Sequence, residues 1–373
     1  MAREVPFYGL QRECATLKTD LIRGFETILD HGQVLQSPEI TNFEDQIALK
    51  TGRKFAVANG SCTDSLYFAL VALGVGIDDE VVVPAFSFIA SASCVLRIGA
   101  KPVFVDVNDS GNMSSERLER VITSKTKAII YVHMYGCVEE KNLSKIIKIG
   151  TRLGIPVIED AAQALGSKGD LSGTSAGAFG EISCISFDPT KVISALGSGG
   201  VFLTDNAAYA SQAMKLRYHG KNAEGGFESL GFNAQMSAIN AMSLIIKLRN
   251  NEAWLDKRRK IAKTYINKLG DLPLVLPIVD NIETHNYHKF VILLEHRDGL
   301  MATLKKNGVQ AMIHYKEPIP AHRAFLNAKD QLKRCEIARD LSERCLSIPC
   351  HAFLSDLEIQ HVVDCIRNFF RAS

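Results

Sequence analysis

Seven short runs rich in Val, Ile and Phe recur between residues 53 and 205: "RKFAVAN", "DEVVVPA", "KPVFVDV", "KAIIYVH", "IPVIEDA", "EISCISF" and "GGVFLTD". Between most of them lie helical patterns, among them "TDSLYFALVALG", "SFIASASCVLRIG", "SSERLERVI" and "EEKNLSKIIKIGTRLG". Strands that are apolar throughout, separated by helices, imply a mostly parallel sheet covered by helices on both faces. Ligands of such sheets bind beyond the carboxyl ends of the strands.

After "GGVFLTD" the pattern changes. "NAAYASQAMKLRYH" and the stretch from Ala234 to about Leu269 read as helices, the second long enough to leave the large domain. "DLPLVLPIVDN" reads as a linker or irregular entry. "NYHKFVILLE", a helix, "VQAMIHY" and two further helices then suggest a small C-terminal α+β domain, the last helix opening with Ser355 and Glu358 in capping-box spacing. The expected division is a large domain over 1–250, with an N-terminal arm, and a small domain over 251–373.

Composition excludes several function classes. A net charge of +2 is too near zero to advertise nucleic acid or an anionic membrane. The first residues show no apolar leader core, and no run is long and apolar enough to span a bilayer, so a cytoplasmic protein is expected. The 9 cysteines have neither C-x-x-C nor zinc spacing, which argues against a metal site and against a disulfide framework.

The polar residues at strand ends carry the chemistry. Lys191, in "SFDPTKVISALGSGG", sits between a buried strand and a glycine turn, where desolvation favours a nucleophilic amine. Asp160 ends "IPVIED", followed by Gln163; a carboxylate there could bind metal, act as a base or pair with a cation. "ANGSCTDSLYFAL" opens a helix with hydroxyls and amides around Cys62 and Thr63, suited to a phosphate and equally to an ordinary N-cap. Ser186 adds a hydroxyl near the lysine. Phe86 and Phe88 follow another strand end, where core packing is the ordinary role. Together these pieces describe a ligand with a phosphate, a flat ring, a ring nitrogen that wants a carboxylate and an aldehyde that wants a lysine, namely pyridoxal phosphate.

The chain resembles sugar aminotransferases of the DegT/DnrJ/EryC1/StrS family, which have the aspartate aminotransferase type fold. "FEDQIALKTGRKFAVANGS", "PAFSFIAS", "IEDAAQALGS", "SFDPTK", "LRYHG", "GFNAQMSAINA", "MIHY" and "SIPCH" fall in the family's order. The resemblance implies that Lys191 is the Schiff-base lysine and proton shuttle, and that Asp160 pairs with the pyridinium nitrogen. It implies that Gln163 bonds the ring hydroxyl and that Phe88 lies against the ring. Thr63, the Cys62 amide and Ser186 would hold the phosphate. Asn233 would reach the phosphate of the neighbouring subunit's cofactor in a homodimer with shared sites, and His314 and Tyr315 would touch substrate.

Some positions depart from the family pattern: Cys62 stands where glycine is usual, Ala234 and Gln235 replace an aromatic and an arginine, and Gln36 and Ser37 occupy positions where glycine is common. The implied reaction moves an amino group from L-glutamate to a keto sugar, commonly a nucleotide-linked keto-deoxy hexose, in cell-surface polysaccharide or lipopolysaccharide assembly. Two alternatives stay open at this point: a free acidic keto sugar such as an oxidised octulosonate as acceptor, and a cofactor-binding regulatory protein without turnover. A Rossmann dehydrogenase is disfavoured because "GSGG" precedes a strand, and a family dehydratase because Lys191 stands where histidine would.

Overall fold

The computed structural model describes residues 4–277 and 281–372. Its main sheet has seven strands: β1 (Phe55–Asn59), β2 (Glu80–Pro84), β3 (Lys101–Val105), β4 (Thr126–Val132), β5 (Val157–Asp160), β6 (Ile182–Ser186) and β7 (Gly200–Thr204). They lie in the order β1-β7-β6-β5-β4-β2-β3, and β7 alone runs antiparallel to its neighbours. All seven expected runs are therefore strands of one mostly parallel sheet.

The two-residue period of the strands sorts their side chains between two helical layers. Val57, Val81, Val83, Ile130, Ile158 and Phe202 join a core with the helices Cys62–Ala72, Ala90–Arg97 and Ala207–Arg217. On the other face Ala58, Ile185, Val201 and Leu203 meet the helices Leu10–His31, Pro38–Thr51 and Ala238–Leu248. Val82, Ile129, Tyr131 and Val157 pack on Glu140–Leu153 on that same side. Each strand is thus buried on both faces, which is why its sequence is apolar throughout.

The helix Asn251–Leu269 begins with Trp254 in the large core and ends with Ile261, Tyr265 and Leu269 in a separate one. This second core surrounds a two-stranded antiparallel sheet of β8 (Phe290–Leu293) and β9 (Cys345–Ile348), with the helices Arg297–Lys306 and Asp356–Ala372. Val5 also belongs to it, through a bridge to Val309. The capping box forms: Ser355 N donates to Glu358 Oε2 at 2.8 Å and Glu358 N to Ser355 Oγ at 3.4 Å.

Three local expectations need correction. "SSERLERVI" is helical only over Ser115–Leu118, because Val121 and Ile122 turn into the core beneath it. "VQAMIHY" makes no regular strand: Met312 and Ser347 exchange both backbone hydrogen bonds on the edge of β9 away from β8, as an isolated bridge. The stretch expected to be helical from Ala234 is two helices, Ala238–Leu248 and Asn251–Leu269, and β9 was not among the expected strands. In the linker, Val275 pairs with Leu293, while its residues 278–280 lie outside the described part.

Candidate active site

The carboxyl ends of β1, β2, β5 and β6 and the start of antiparallel β7 open at one edge of the sheet, and a cavity of about 340 Å³ lies there. Among the residues that line it are Cys62, Thr63, Phe88, Asp160, Gln163, Ser186, Lys191, His314 and Tyr315. Every site residue named from the sequence meets at this cavity except Asn233. That residue is exposed and bridges Tyr218. Nor does it cap the following helix: that helix starts at Ala238, and its cap is Ser237, whose side chain accepts from Asn240 N.

β5 ends in two carboxylates that face opposite ways, as strand alternation requires. Asp160 points to the cavity, where its Oδ2 accepts from Ser91 Oγ at 2.7 Å and its Oδ1 from Ala162 N at 3.2 Å. Burial pushes its carboxyl up, against the pull of these two bonds and of the Lys191 charge. Glu159 turns away. It meets His133 Nε2 at 2.7 Å and accepts from the amides of Gly177, Phe179 and Gly180, with Arg53 at 3.6 Å. Burial raises its carboxyl too, but the His133 bond and these further partners outweigh it and hold the group at about 2. Glu159 is taken up by protein partners, whereas Asp160 faces the cavity.

The helix Cys62–Ala72 presents its N-terminus to the cavity. Ser61 caps it, its Oγ accepting from Asp64 N at 3.1 Å. A side chain at Gly200 would overlap the Ser61–Cys62 peptide, so the glycine that opens β7 permits this close approach. The Cys62 side chain is buried and counts among the core residues; burial raises its thiol well above the usual range. Ser186, at the end of β6, accepts from Asp188 N at 3.3 Å. The next turn carries Lys191, half-buried, with its amide bonded to Asp188 O.

Gln163 is fixed from both ends, its Oε1 accepting from Tyr135 N at 3.0 Å and its Nε2 donating to Tyr315 Oη at 3.3 Å. Phe86 is fully buried, whereas Phe88 is 55% exposed and lies 6.2 Å from the Tyr315 ring on the cavity wall. His314 Nδ1 is 2.8 Å from Ser347 Oγ; burial, then the nearby Lys289 and Lys191 charges, lower its ring to about 3. Tyr8, His288 and Lys289 are among the wall residues that the sequence reading did not name. Long-range contacts of the N-terminal segment with Val309, Gln310 and His351 bring Tyr8 here, and no local pattern signals them.

The set fits the cofactor expected from the sequence: an amine, a buried carboxylate, an oriented amide, an exposed aromatic face, and hydroxyls beside a helix N-terminus, around one cavity. Among the described residues no group of His, Cys, Asp or Glu is placed to hold a metal, and no helix is long and apolar enough to cross a membrane.

Comparison with known proteins agrees. The model of the DegT/DnrJ/EryC1/StrS aminotransferase family matches residues 15–367. The chain is 35% identical to a UDP-N-acetyl-3-dehydro-alpha-D-glucosamine 3-aminotransferase of Acidithiobacillus ferrooxidans, covering 98% of this chain and 97% of the other. It is 33% identical to a pleiotropic regulatory protein of Geobacillus stearothermophilus, covering 98% and 99%. The crystal structure of NtdA from Bacillus subtilis with bound cofactor PMP superposes with a TM-score of 0.91 at 26% identity, covering 100% of this chain and 86% of that one.

Proposed function

Because this chain belongs to the DegT/DnrJ/EryC1/StrS aminotransferase family and is a pyridoxal-phosphate-dependent sugar aminotransferase, we propose that it takes the amino group of L-glutamate and gives it to a nucleotide-linked keto hexose. The observation that carries the reading is the meeting of Lys191, Asp160, Gln163 and the Cys62–Ala72 helix start at one cavity. The Acidithiobacillus relative's name, a UDP-linked 3-keto sugar, supports the acceptor class. We place the product in cell-surface polysaccharide assembly, and the enzyme in the cytoplasm, where thiols stay reduced: none of the 9 cysteines is in a disulfide.

When bound, pyridoxal phosphate supplies an electron sink and a carrier for the amino group. The chain's residues do the rest. Lys191 Nζ would hold the cofactor covalently and, as a free amine, would move the proton at the donor's α-carbon. Asp160, whose carboxyl faces the cavity, would hold a proton at the ring nitrogen. Gln163, pinned by the Tyr135 amide, offers Nε2 to the ring oxygen. Phe88 covers a ring face, and Thr63, the Cys62 amide and Ser186 receive the phosphate. His314 and Tyr315 wall the substrate side. Asn233, exposed on its own chain, serves the phosphate site of a second copy in a homodimer.

The direct test is to incubate the enzyme with pyridoxal phosphate, L-glutamate and UDP-N-acetyl-3-dehydro-glucosamine and to measure 2-oxoglutarate and amino sugar by mass spectrometry. Stoichiometric formation of both supports the reading. The Geobacillus relative's name points to regulation, and a regulator that holds cofactor without turnover yields neither product.

A further inference from the structure

Lys289 stands just before β8, and its side chain reaches the wall of the active-site cavity. It is only 6% exposed. Its Nζ donates to Tyr8 Oη at 3.2 Å and lies 4.9 Å and 4.5 Å from the ring centroids of Phe7 and Tyr8. Among the described residues it has no carboxylate within 4.0 Å. The contrast with Lys247 is instructive. That lysine, also buried, has Glu13 at 2.6 Å and bonds to Ser194. A hydroxyl and two ring faces are weaker partners for a buried ammonium than a carboxylate.

The charges around Lys289 leave the same gap. Lys191 comes from the turn after β6, Arg258 from the Asn251–Leu269 helix, and His288 and His314 from the neighbouring wall, all of them cationic or neutral. The tyrosine Tyr8 is held neutral, raised to about 12 by burial and by Asp188. Asp188 is the one acid that acts on Lys289, and its Oδ1 is taken by Thr190 N at 2.9 Å and Thr190 Oγ1 at 2.6 Å. Burial first, then Lys191 and Arg258, push the Lys289 ammonium well below the usual lysine range.

An aminotransferase that serves an amino acid and a sugar must seat two unlike molecules in turn at one place. A fixed guanidinium that matches the first would be left unpaired by an uncharged sugar ring, whereas a lysine can gain and lose its proton. We infer that Lys289 reads the donor: its charged amine receives a carboxylate of L-glutamate, and it falls back on the Tyr8 hydroxyl when the hexose ring takes that place. The inference rests on the aminotransferase reading above.

Stopped-flow of the donor half-reaction, with the holoenzyme and L-glutamate alone, separates an apparent Kd from a limiting rate. Lys289→Gln is expected to raise that Kd roughly 10- to 100-fold, the worth of one hydrogen bond to a charged group. The limiting rate should fall far less, and pyridoxal phosphate affinity should hold. Lys289→Met, which cannot donate at all, should behave alike. Glutarate, a dicarboxylate without the amine, should weaken in parallel by calorimetry. Because binding requires the proton on Lys289, wild-type affinity for glutarate should fall as pH rises, and the slope should vanish in both variants.

Unchanged Kd values for L-glutamate and glutarate in both variants overturn the inference, as does a loss confined to cofactor affinity, which would give Lys289 to the cofactor instead. A wild-type enzyme that fails to react with L-glutamate removes the donor reading first, and this assignment with it.

Discussion

On the proposed reading, Asp160 is costly to the fold and necessary to the chemistry. Its carboxyl is raised by burial, so in the cofactor-free protein its charge is an expense at any pH above its folded pKa, and the expense fades as pH falls through that value. Asp160→Asn is therefore expected to leave the melting temperature of the cofactor-free protein at pH 7 unchanged or higher. Proton removal from L-glutamate should nevertheless slow by ~100-fold or more, the scale for losing one preorganised electrostatic partner. Scanning calorimetry and stopped-flow check the two halves; a lower melting temperature with an unaltered rate would make Asp160 a structural residue. Asp160 was legible in the sequence because it ends an apolar strand with a charge, and Lys191 because it stands between a buried strand and a glycine turn. Lys289 and Tyr8 were not, because their contact joins residues separated by 281 positions and follows from packing that no local period encodes.

At the scale of the element, β5 divides its two acids by strand alternation: Asp160 toward the cavity, Glu159 into a network with His133, Arg53 and three backbone amides. Glu159 titrates at about 2 in the fold against an ordinary 4.5, so its contribution is fully present above pH 4.5 and is lost as pH falls toward 2. Glu159→Gln should cost about 3 kcal/mol at pH 7, since it removes the buried anion that His133 and three backbone amides hold. That deficit should shrink steadily between pH 4.5 and 2. Urea unfolding at several pH values measures it; a deficit independent of pH would remove the charge from the explanation. The seven strands of the main sheet could be read from composition because burial on both faces makes them apolar throughout. β9 could not, being only Cys345–Ile348 and lying directly after a helix. The cap of the helix Ala238–Leu248 is Ser237 and not Asn233, although asparagine and serine both cap well.

The whole molecule places its cavity where the main sheet's carboxyl edge meets the second core, with the long Asn251–Leu269 helix running between the two cores. Both bodies supply wall residues, Lys191 and Asp160 from one, His314 and Lys289 from the segments around the other. If Asn233 completes the partner's site, a Lys191→Ala subunit and an Asn233→Asp subunit, each nearly inactive alone, should regain activity on mixing, toward half of wild type per hybrid. Verified hybrids that stay inactive would confine Asn233 to its own chain. The central claim is narrower: this cavity holds pyridoxal phosphate on one particular amine. Borohydride reduction of the holoenzyme, followed by proteolysis and peptide mass mapping, tests it directly. The phosphopyridoxyl mark should sit on the peptide containing Lys191 and be absent from Lys191→Ala; a mark on any other lysine, Lys289 included, would contradict the account.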